Sequence, residues 1–108
     1  MARISTHVLD IERGLPASGI PVDLYFDGRL LRSMKTNEVG RAEPLLSAER
    51  LEPGRYELLF RTADYLTKRD AFPFFGDISV RFGVSDGAAN YHIPLLLAAH
   101  GYSTYRGS

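Results

Sequence analysis

The chain has 108 residues, with 13 lysines and arginines balanced by 13 aspartates and glutamates, so its formal net charge at pH 7 is zero. This length predicts a single domain, residues 1–108, that buries about two thirds of its unfolded surface. The balanced charge excludes the broad basic field that binding to nucleic acid or an anionic membrane requires. Cysteine is absent, which excludes disulfides, thiolate nucleophiles and cysteine-ligated zinc.

The N-terminal segment has no apolar stretch of signal-peptide length, and no window approaches the length of a transmembrane helix. The sequence as written therefore predicts a cytoplasmic protein.

The first predicted strand, residues 4–10, alternates apolar and polar side chains. Ile4 and Val8 point to one face, whereas Ser5 and His7 point to the other. Seven or eight short strands at spacings of roughly ten residues indicate an all-β fold, an antiparallel sandwich or barrel. Similar patterns predict strands over residues 22–26, 30–36, 55–60, 78–82, 91–97 and 102–105, joined by turns rich in glycine, proline, asparagine and aspartate.

One segment, residues 61–70, has a plausible helical pattern. Ala63, Leu66 and Thr67 fall near a common face, and Thr62 is available as an N-terminal cap. The sequence therefore predicts one short helix.

Three further features are interpreted structurally. The aromatic side chains of Phe72, Phe74 and Phe75 are expected to pack beneath their loop. Pro94 lacks a backbone donor, so we expect it on an edge strand or at a bulge. His100 is expected to cap a turn or to contact solvent.

The other two histidines are candidates for chemistry. His7 and His92 alternate away from the bulky apolar residues of their strands, so both lie on the outer face of the sandwich, where an ordinary surface role is the simplest interpretation. A catalytic role becomes more plausible when the histidines are considered with Arg41, which directly follows a glycine turn, and with the C-terminal tail. Together these residues combine a neutral base with donors that stabilise an anion. The tail contributes a phenol, a guanidinium and a hydroxyl beside the terminal carboxylate, from Tyr105, Arg106 and Ser108.

Other catalytic arrangements have weak support. Two histidines without a carboxylate at ligand spacing are a poor zinc signal, so no metal site is expected. No Gly-x-Ser-x-Gly elbow occurs, and Ser108 is followed by no amide that could form an oxyanion hole. Glycine-rich phosphate loops are also missing.

A specific likeness to a known family is found in three parts of the sequence, which are residues 5–10, residues 40–46 and the ending, residues 91–97 with 102–108. With these segments the whole chain resembles the transthyretin-related 5-hydroxyisourate hydrolases of urate breakdown. The terminal Tyr-Arg-Gly-Ser is the most specific mark of that family, and transthyretin itself lacks it together with the histidines and the arginine of the site.

The resemblance implies a transthyretin-like sandwich of two four-stranded sheets with one short helix after the fifth strand. It also implies a homotetramer whose active site lies in a cleft where subunit pairs meet, which would bury the outward-facing His7 and His92. No metal or organic cofactor is implied.

The implied reaction is hydrolytic opening of the six-membered ring of 5-hydroxyisourate, giving 2-oxo-4-hydroxy-4-carboxy-5-ureidoimidazoline. We assign His7 as general base with His92 sharing or relaying the proton, and the reverse assignment stays open. Arg41 would stabilise the developing negative charge. Tyr105 and Arg106 would bind the substrate. Ser108 would orient a histidine or the water.

Two alternatives remain open from the sequence. One is a transthyretin-like carrier of a small aromatic ligand without catalysis, and the other is a sandwich that only mediates oligomerisation. The chain departs from the family's usual residues at Ala42, Glu43 and His100, none of which is assigned a catalytic role.

Overall fold

The computed structural model describes residues 1–108 as two packed β-sheets with one short helix. The predicted all-β sandwich is confirmed, and most predicted strand positions agree to within one or two residues. The elements are β1 (Ala2–Asp10), β2 (Leu15–Pro16), β3 (Pro21–Phe26), β4 (Arg29–Lys35), β5 (Arg41–Ala48), β6 (Gly54–Phe60), α1 (Thr62–Lys68), β7 (Ile78–Val84), β8 (Tyr91–Ala98) and β9 (Gly101–Thr104).

The first sheet has the order β2-β1-β8-β9, and β5 also pairs with β1. Because β5 pairs along the first part of β1 and β2 pairs at its end, both on the side away from β8, this sheet of five strands is four strands wide. The second sheet has the order β4-β3-β6-β7. One pairing departs from the antiparallel expectation, since β1 and β8 run parallel.

The core lies between the two sheets and follows the alternation of the strands. In β1, Ile4, Thr6 and Val8 are fully buried, and in the second sheet Leu24 and Leu58 face them from β3 and β6. Burying a side chain of this size contributes about 1.5–3 kcal/mol. The residues between these positions point outward, which leaves the outer face of the first sheet free for polar groups.

The helix prediction is right in position and wrong in detail. Arg61, not Thr62, occupies the N-cap position, and no side chain caps the helix. Thr62 is instead buried, with its hydroxyl donating to the carbonyl of Gly76 at 3.0 Å. Thr62 and Leu66 are the buried residues of α1, and Thr67 is exposed. At seven residues, α1 is too short to cross a membrane, and no longer helix is present.

The aromatic loop before β7 is also different from the prediction. Phe72, Phe74 and Phe75 are 71%, 62% and 51% exposed, so they do not pack beneath the loop. Phe75 meets Tyr102 of β9 edge to face, and Phe74 lies beside the exposed ring of His100. The loop joins two elements at the end of the sandwich, and its aromatic rings contact one another rather than the core.

Pro94 lies inside β8, between β1 and β9, so the expected edge or bulge position is wrong. The amide of Gly107 donates to the carbonyl of His92 at 2.7 Å, so the backbone groups of His92 point toward the C-terminal segment. Because backbone groups alternate in direction along a strand, those of Pro94 point the same way. Pairing with β9 begins at Leu95 and Thr104. The missing N–H of Pro94 faces the gap between Thr104 and Gly107, where no backbone acceptor is required.

Candidate active site

The outer face of the first sheet brings the candidate residues together. His7 of β1 pairs in register with Arg41 of β5, and Ser5 of β1 pairs with His92 of β8. Because side chains alternate along a strand, all four point to the same face. Two imidazoles and one guanidinium therefore lie on one face within a single chain.

A polar depression of about 460 Å³ opens on this face, and no hydrophobic residue lines it. It has basic, acidic, amide and hydroxyl groups from four separate parts of the chain. Its lining residues are Arg3, Ser5, Arg41, Glu43, Asn90, His92 and Ser108. Such a surface suits a small polar ligand and does not suit an apolar one.

His7 lies next to this depression and is held by the turn before β5. Its Nε2 is 2.8 Å from the carbonyl oxygen of Val39. A carbonyl can only accept, so Nε2 carries the hydrogen, and Nδ1 of the neutral ring keeps its lone pair.

His92 has a different environment. Its Nδ1 lies 2.8 Å from Oγ of Ser5, and its ring is partly buried. Burial lowers the pKa of His92 below its ordinary value of 6.5, and the charge of Arg41 lowers it further, while Glu43 acts in the opposite direction. The lowered pKa favours the neutral form of His92, which can accept a proton.

A tight turn places Arg41. Gly40 has φ +78°, and a Cβ there would lie 2.5 Å from the carbonyl oxygen of Val8, so only glycine fits. The side-chain oxygen of Asn37 accepts from the amide of Arg41 at 3.0 Å, which fixes the start of β5. Glu43 is 3.5 Å from the Arg41 guanidinium, and both side chains remain accessible to solvent.

The C-terminal tail is held against His92 through its backbone. The amide of Gly107 donates to the carbonyl of His92 at 2.7 Å. A Cβ on Gly107 would lie 2.8 Å from Cδ2 of the His92 ring, so glycine is required for this approach. The contact carries Ser108 to the rim of the depression.

Tyr105 and Arg106 do not enter the depression. Both line a separate groove of about 320 Å³ beside β7. The Arg106 guanidinium carbon lies 4.5 Å from the centre of the Tyr91 ring, and its Nη2 donates to the carbonyl of Asn90 at 3.4 Å. Within one chain, the structure therefore separates these two residues from the two histidines, Arg41 and Ser108.

Sequence reasoning missed several residues of the site. Strand alternation would have found Arg3 and Ser5, which share the outward face of His7. Glu43 was named only as a departure from a family pattern, and neither Asn90 nor Gly107 was given a role. These two depend on contacts between distant segments, for which the sequence has no local signal.

No group of three or more histidine, cysteine, aspartate or glutamate residues is arranged to hold a metal ion. The chemistry available in the depression is that of imidazole, guanidinium, hydroxyl and carboxylate groups. These groups can transfer a proton and stabilise negative charge, which are the requirements of general-base hydrolysis.

Comparison with known proteins identifies relatives across the whole chain. A 5-hydroxyisourate hydrolase of Halalkalibacterium halodurans is 43% identical over 98% of this chain and 98% of its own length. The structure of Klebsiella pneumoniae 5-hydroxyisourate hydrolase matches with a TM-score of 0.91 and 36% identity, covering 100% of both chains. Transthyretin from Sparus aurata, at 24% identity and a TM-score of 0.90, covers 99% of this chain and 97% of its own and shares the fold. The model of the HIUase/Transthyretin family matches residues 4–107, and this chain belongs to that family.

Proposed function

We propose that this chain is a 5-hydroxyisourate hydrolase, the activity named for relatives that it matches over nearly its full length. The observation that carries the proposal is the arrangement of a neutral imidazole, a guanidinium and the chain terminus around one depression without hydrophobic lining. In the reaction, water attacks an amide-like carbon of the six-membered ring. The base takes a proton from the water, the carbon–nitrogen bond breaks, and the proton passes to the departing nitrogen.

We assign the general base to Nε2 of His92, the alternative that sequence reasoning left open. Three features support this choice. His92 lines the depression, its lowered pKa keeps it neutral, and its Nε2 has no hydrogen-bond partner in the protein, since only Nδ1 is engaged. His7 is adjacent, with a free Nδ1, and relays or shares the proton.

Arg41 stabilises the negative charge that develops on the attacked carbonyl group. Glu43 neutralises the positive charge of Arg41 only in part, because the contact of 3.5 Å between the two side chains is long and solvated. A positioned donor of this kind contributes about 3–4 kcal/mol to the transition state. Ser108, at the rim of the depression, orients the water or a histidine.

We also propose that the protein is a homotetramer with the site at a subunit interface. The depression is open on one side, and a second copy over it would exclude water. Exposed aromatic side chains at Phe72, Phe74, Phe75 and Tyr102 form an apolar surface beside the edge strand β9, which is typical of an interface. In such an assembly, Tyr105 and Arg106 of a neighbouring copy would supply the substrate contacts that they cannot make within their own chain.

A carrier function is the alternative. A carrier of small aromatic ligands needs an apolar channel, whereas the depression here has no hydrophobic lining. A purely structural sandwich does not require a half-buried neutral histidine beside an arginine. The site composition therefore favours the hydrolase.

A direct assay tests the function. Freshly generated 5-hydroxyisourate is mixed with the protein, and the ultraviolet absorbance of the substrate is followed over time. We expect His92→Ala and His7→Ala each to lower turnover at least about a hundredfold, the scale of a lost general base or relay. Removal of residues 105–108 should abolish activity with an unchanged circular dichroism spectrum.

His100→Ala is the matched control, because this exposed imidazole lies at the opposite end of β8 from His92. It should retain normal turnover. Decay of the substrate at the uncatalysed rate in wild-type protein would contradict the hydrolase, and saturable binding without decay would support the carrier.

Sedimentation equilibrium tests the assembly. We expect a mass of four chains for the wild type and a smaller species for Phe75→Ser, which removes an exposed ring in contact with Tyr102. A wild-type monomer with full activity would contradict both the tetramer and the interface site.

A further inference from the structure

Ser5 is the only residue whose side chain contacts the ring nitrogens of His92. Its Oγ lies 2.8 Å from Nδ1 of His92, and the two residues are register partners in adjacent parallel strands, 87 positions apart in the chain. β1 lies between β5 and β8, with a bulge at Ser5 on the β5 side, and the amide of Gly107 holds β8 on its other side at His92. The parallel pairing of β1 with β8 therefore brings the two side chains together.

We propose that Ser5 is a positioning residue of the hydrolase, accepting a hydrogen bond from the Nδ1–H of His92 and so keeping the Nε2 lone pair directed at the reacting water. The proposal rests on the proposed function, which makes His92 the base. Ser5 touches neither substrate nor water in this scheme and acts only through the histidine.

The chemistry of the two ring nitrogens carries the argument. In a neutral imidazole one nitrogen donates and the other accepts. If the Ser5 hydroxyl donated to Nδ1, Nε2 would carry the hydrogen and could not act as base. If Nδ1–H donates to Ser5, Nε2 is free, and the same hydrogen bond persists after Nε2 takes a proton, because both nitrogens of the imidazolium are donors.

The ring is confined from its other side as well. Gly107 lies so close that an added Cβ would be 2.8 Å from Cδ2 of His92. Ser5 at Nδ1 and the tail at Cδ2 thus contact opposite edges of the imidazole. Loss of the Ser5 hydroxyl removes the side-chain partner of Nδ1 and allows the ring to rotate or change tautomer, so a fraction of molecules would present Nε2–H to the water.

Several charged or titratable groups face His92 and set its protonation along with Ser5. Arg41 and Glu43 come from β5, Arg3 and His7 from β1, and Ser108 from the tail. A hydroxyl oxygen that accepts from the imidazolium stabilises the protonated form. Its removal should therefore shift the acid limb of the pH–rate profile to lower pH, while the other groups stay unchanged.

The experiment compares Ser5→Ala, Ser5→Thr and the control Ser47→Ala in the full-length protein. Ser47 is an exposed serine on β5 of the same sheet, with no contact to a histidine. We expect Ser5→Ala to lower kcat about tenfold, on the scale of one hydrogen bond, with little change in KM and with the acid limb moved to lower pH. Ser5→Thr keeps the hydroxyl and should restore most of the rate, and Ser47→Ala should match the wild type.

A second readout needs no turnover. Two-bond ¹⁵N–¹H correlation spectra of the histidine rings report the tautomer of His92, and we expect Nδ1–H in the wild type and a mixture in Ser5→Ala. An Nε2–H tautomer in the wild type, or an unchanged rate and tautomer in Ser5→Ala, would overturn the proposal. If the wild type shows no hydrolysis, the proposed function fails, while the spectra still decide whether Ser5 sets the tautomer.

Discussion

Two polar clusters occupy opposite ends of β1, and they differ in how completely the protein satisfies them. Asp10 at the end of the strand is fully buried. Its carboxylate accepts from the Tyr65 hydroxyl at 2.8 Å and from the Arg13 amide at 3.1 Å, and Nε of Arg69 lies 2.8 Å away. The Arg69 N–H is not well aimed for a hydrogen bond, so that contact is ionic. Glu12 pairs with Arg69 and accepts from the amide of Ala99.

The cluster at the other end of the same strand is incompletely paired. Arg41 has a single carboxylate at 3.5 Å, and Nε2 of His92 has no partner in the protein. The Asp10 cluster joins α1 and the β8–β9 turn to the first sheet, whereas the polar depression keeps donors and acceptors free for a ligand. Internal pairing distinguishes polar groups that stabilise the fold from those that perform chemistry.

Substitution Asp10→Ala should give the largest effect and should act on stability alone. It removes the fully buried carboxylate that accepts from the Tyr65 hydroxyl and pairs with Arg69, which keeps only Glu12, and the loss should cost up to about 3 kcal/mol. Urea denaturation measures the loss, and activity per folded molecule should stay normal. Asp64→Ala removes the exposed pair with Lys68 and serves as control, with little change expected. Equal losses in both variants would contradict the distinction.

Substitution Gly107→Ala should act on activity. The added methyl group would press on the His92 ring, and displacement of a catalytic group by a fraction of an ångström to an ångström lowers turnover about tenfold to a hundredfold. The unfolding midpoint should change little, because the tail contributes no core side chain. Gly101→Ala is the control, since nothing lies within 4 Å of a Cβ there. Full activity in Gly107→Ala would show that the tail does not set the position of His92.

Substitution Glu43→Gln should have the smallest effect. Glu43 raises the pKa of His92 against the larger effects of burial and Arg41, so its neutralisation lowers that pKa further. Turnover at pH 7 should change less than about fivefold, as expected for an exposed charge. An NMR titration of the His92 ring protons measures the shift, and a rise in the pKa would contradict the described electrostatics.

Strand alternation predicted the fold class and the direction of the two histidines. The outward direction of His7 and His92 followed from the pattern of two short segments, and the glycine turn before Arg41 was visible in the sequence. These features depend on neighbours in the chain. The parallel pairing of β1 with β8 and the position of Pro94 depend on segments that are far apart, for which periodicity has no information.

The wrong details have the same origin. Thr62 resembled a helix cap, but the carbonyl of Gly76 takes its hydroxyl, and the phenylalanines of the aromatic loop face outward because the core is already filled by the two sheets. The substrate contacts assigned to Tyr105 and Arg106 stay a prediction, because the stacking of Arg106 on Tyr91 places both residues in another groove of their own chain. The resemblance to a family supplied the reaction, which no local pattern in this chain could specify.

The parallel contact between β1 and β8 also affects the order of events during translation. One edge of β1 can pair with β5 early, but the other edge waits for a strand that begins at residue 91. With synthesis at about 5–20 residues per second, the separation of 87 positions between Ser5 and His92 corresponds to a delay of about 4–17 s. The nascent chain must keep this edge from pairing with other strands on the ribosome until β8 has been made.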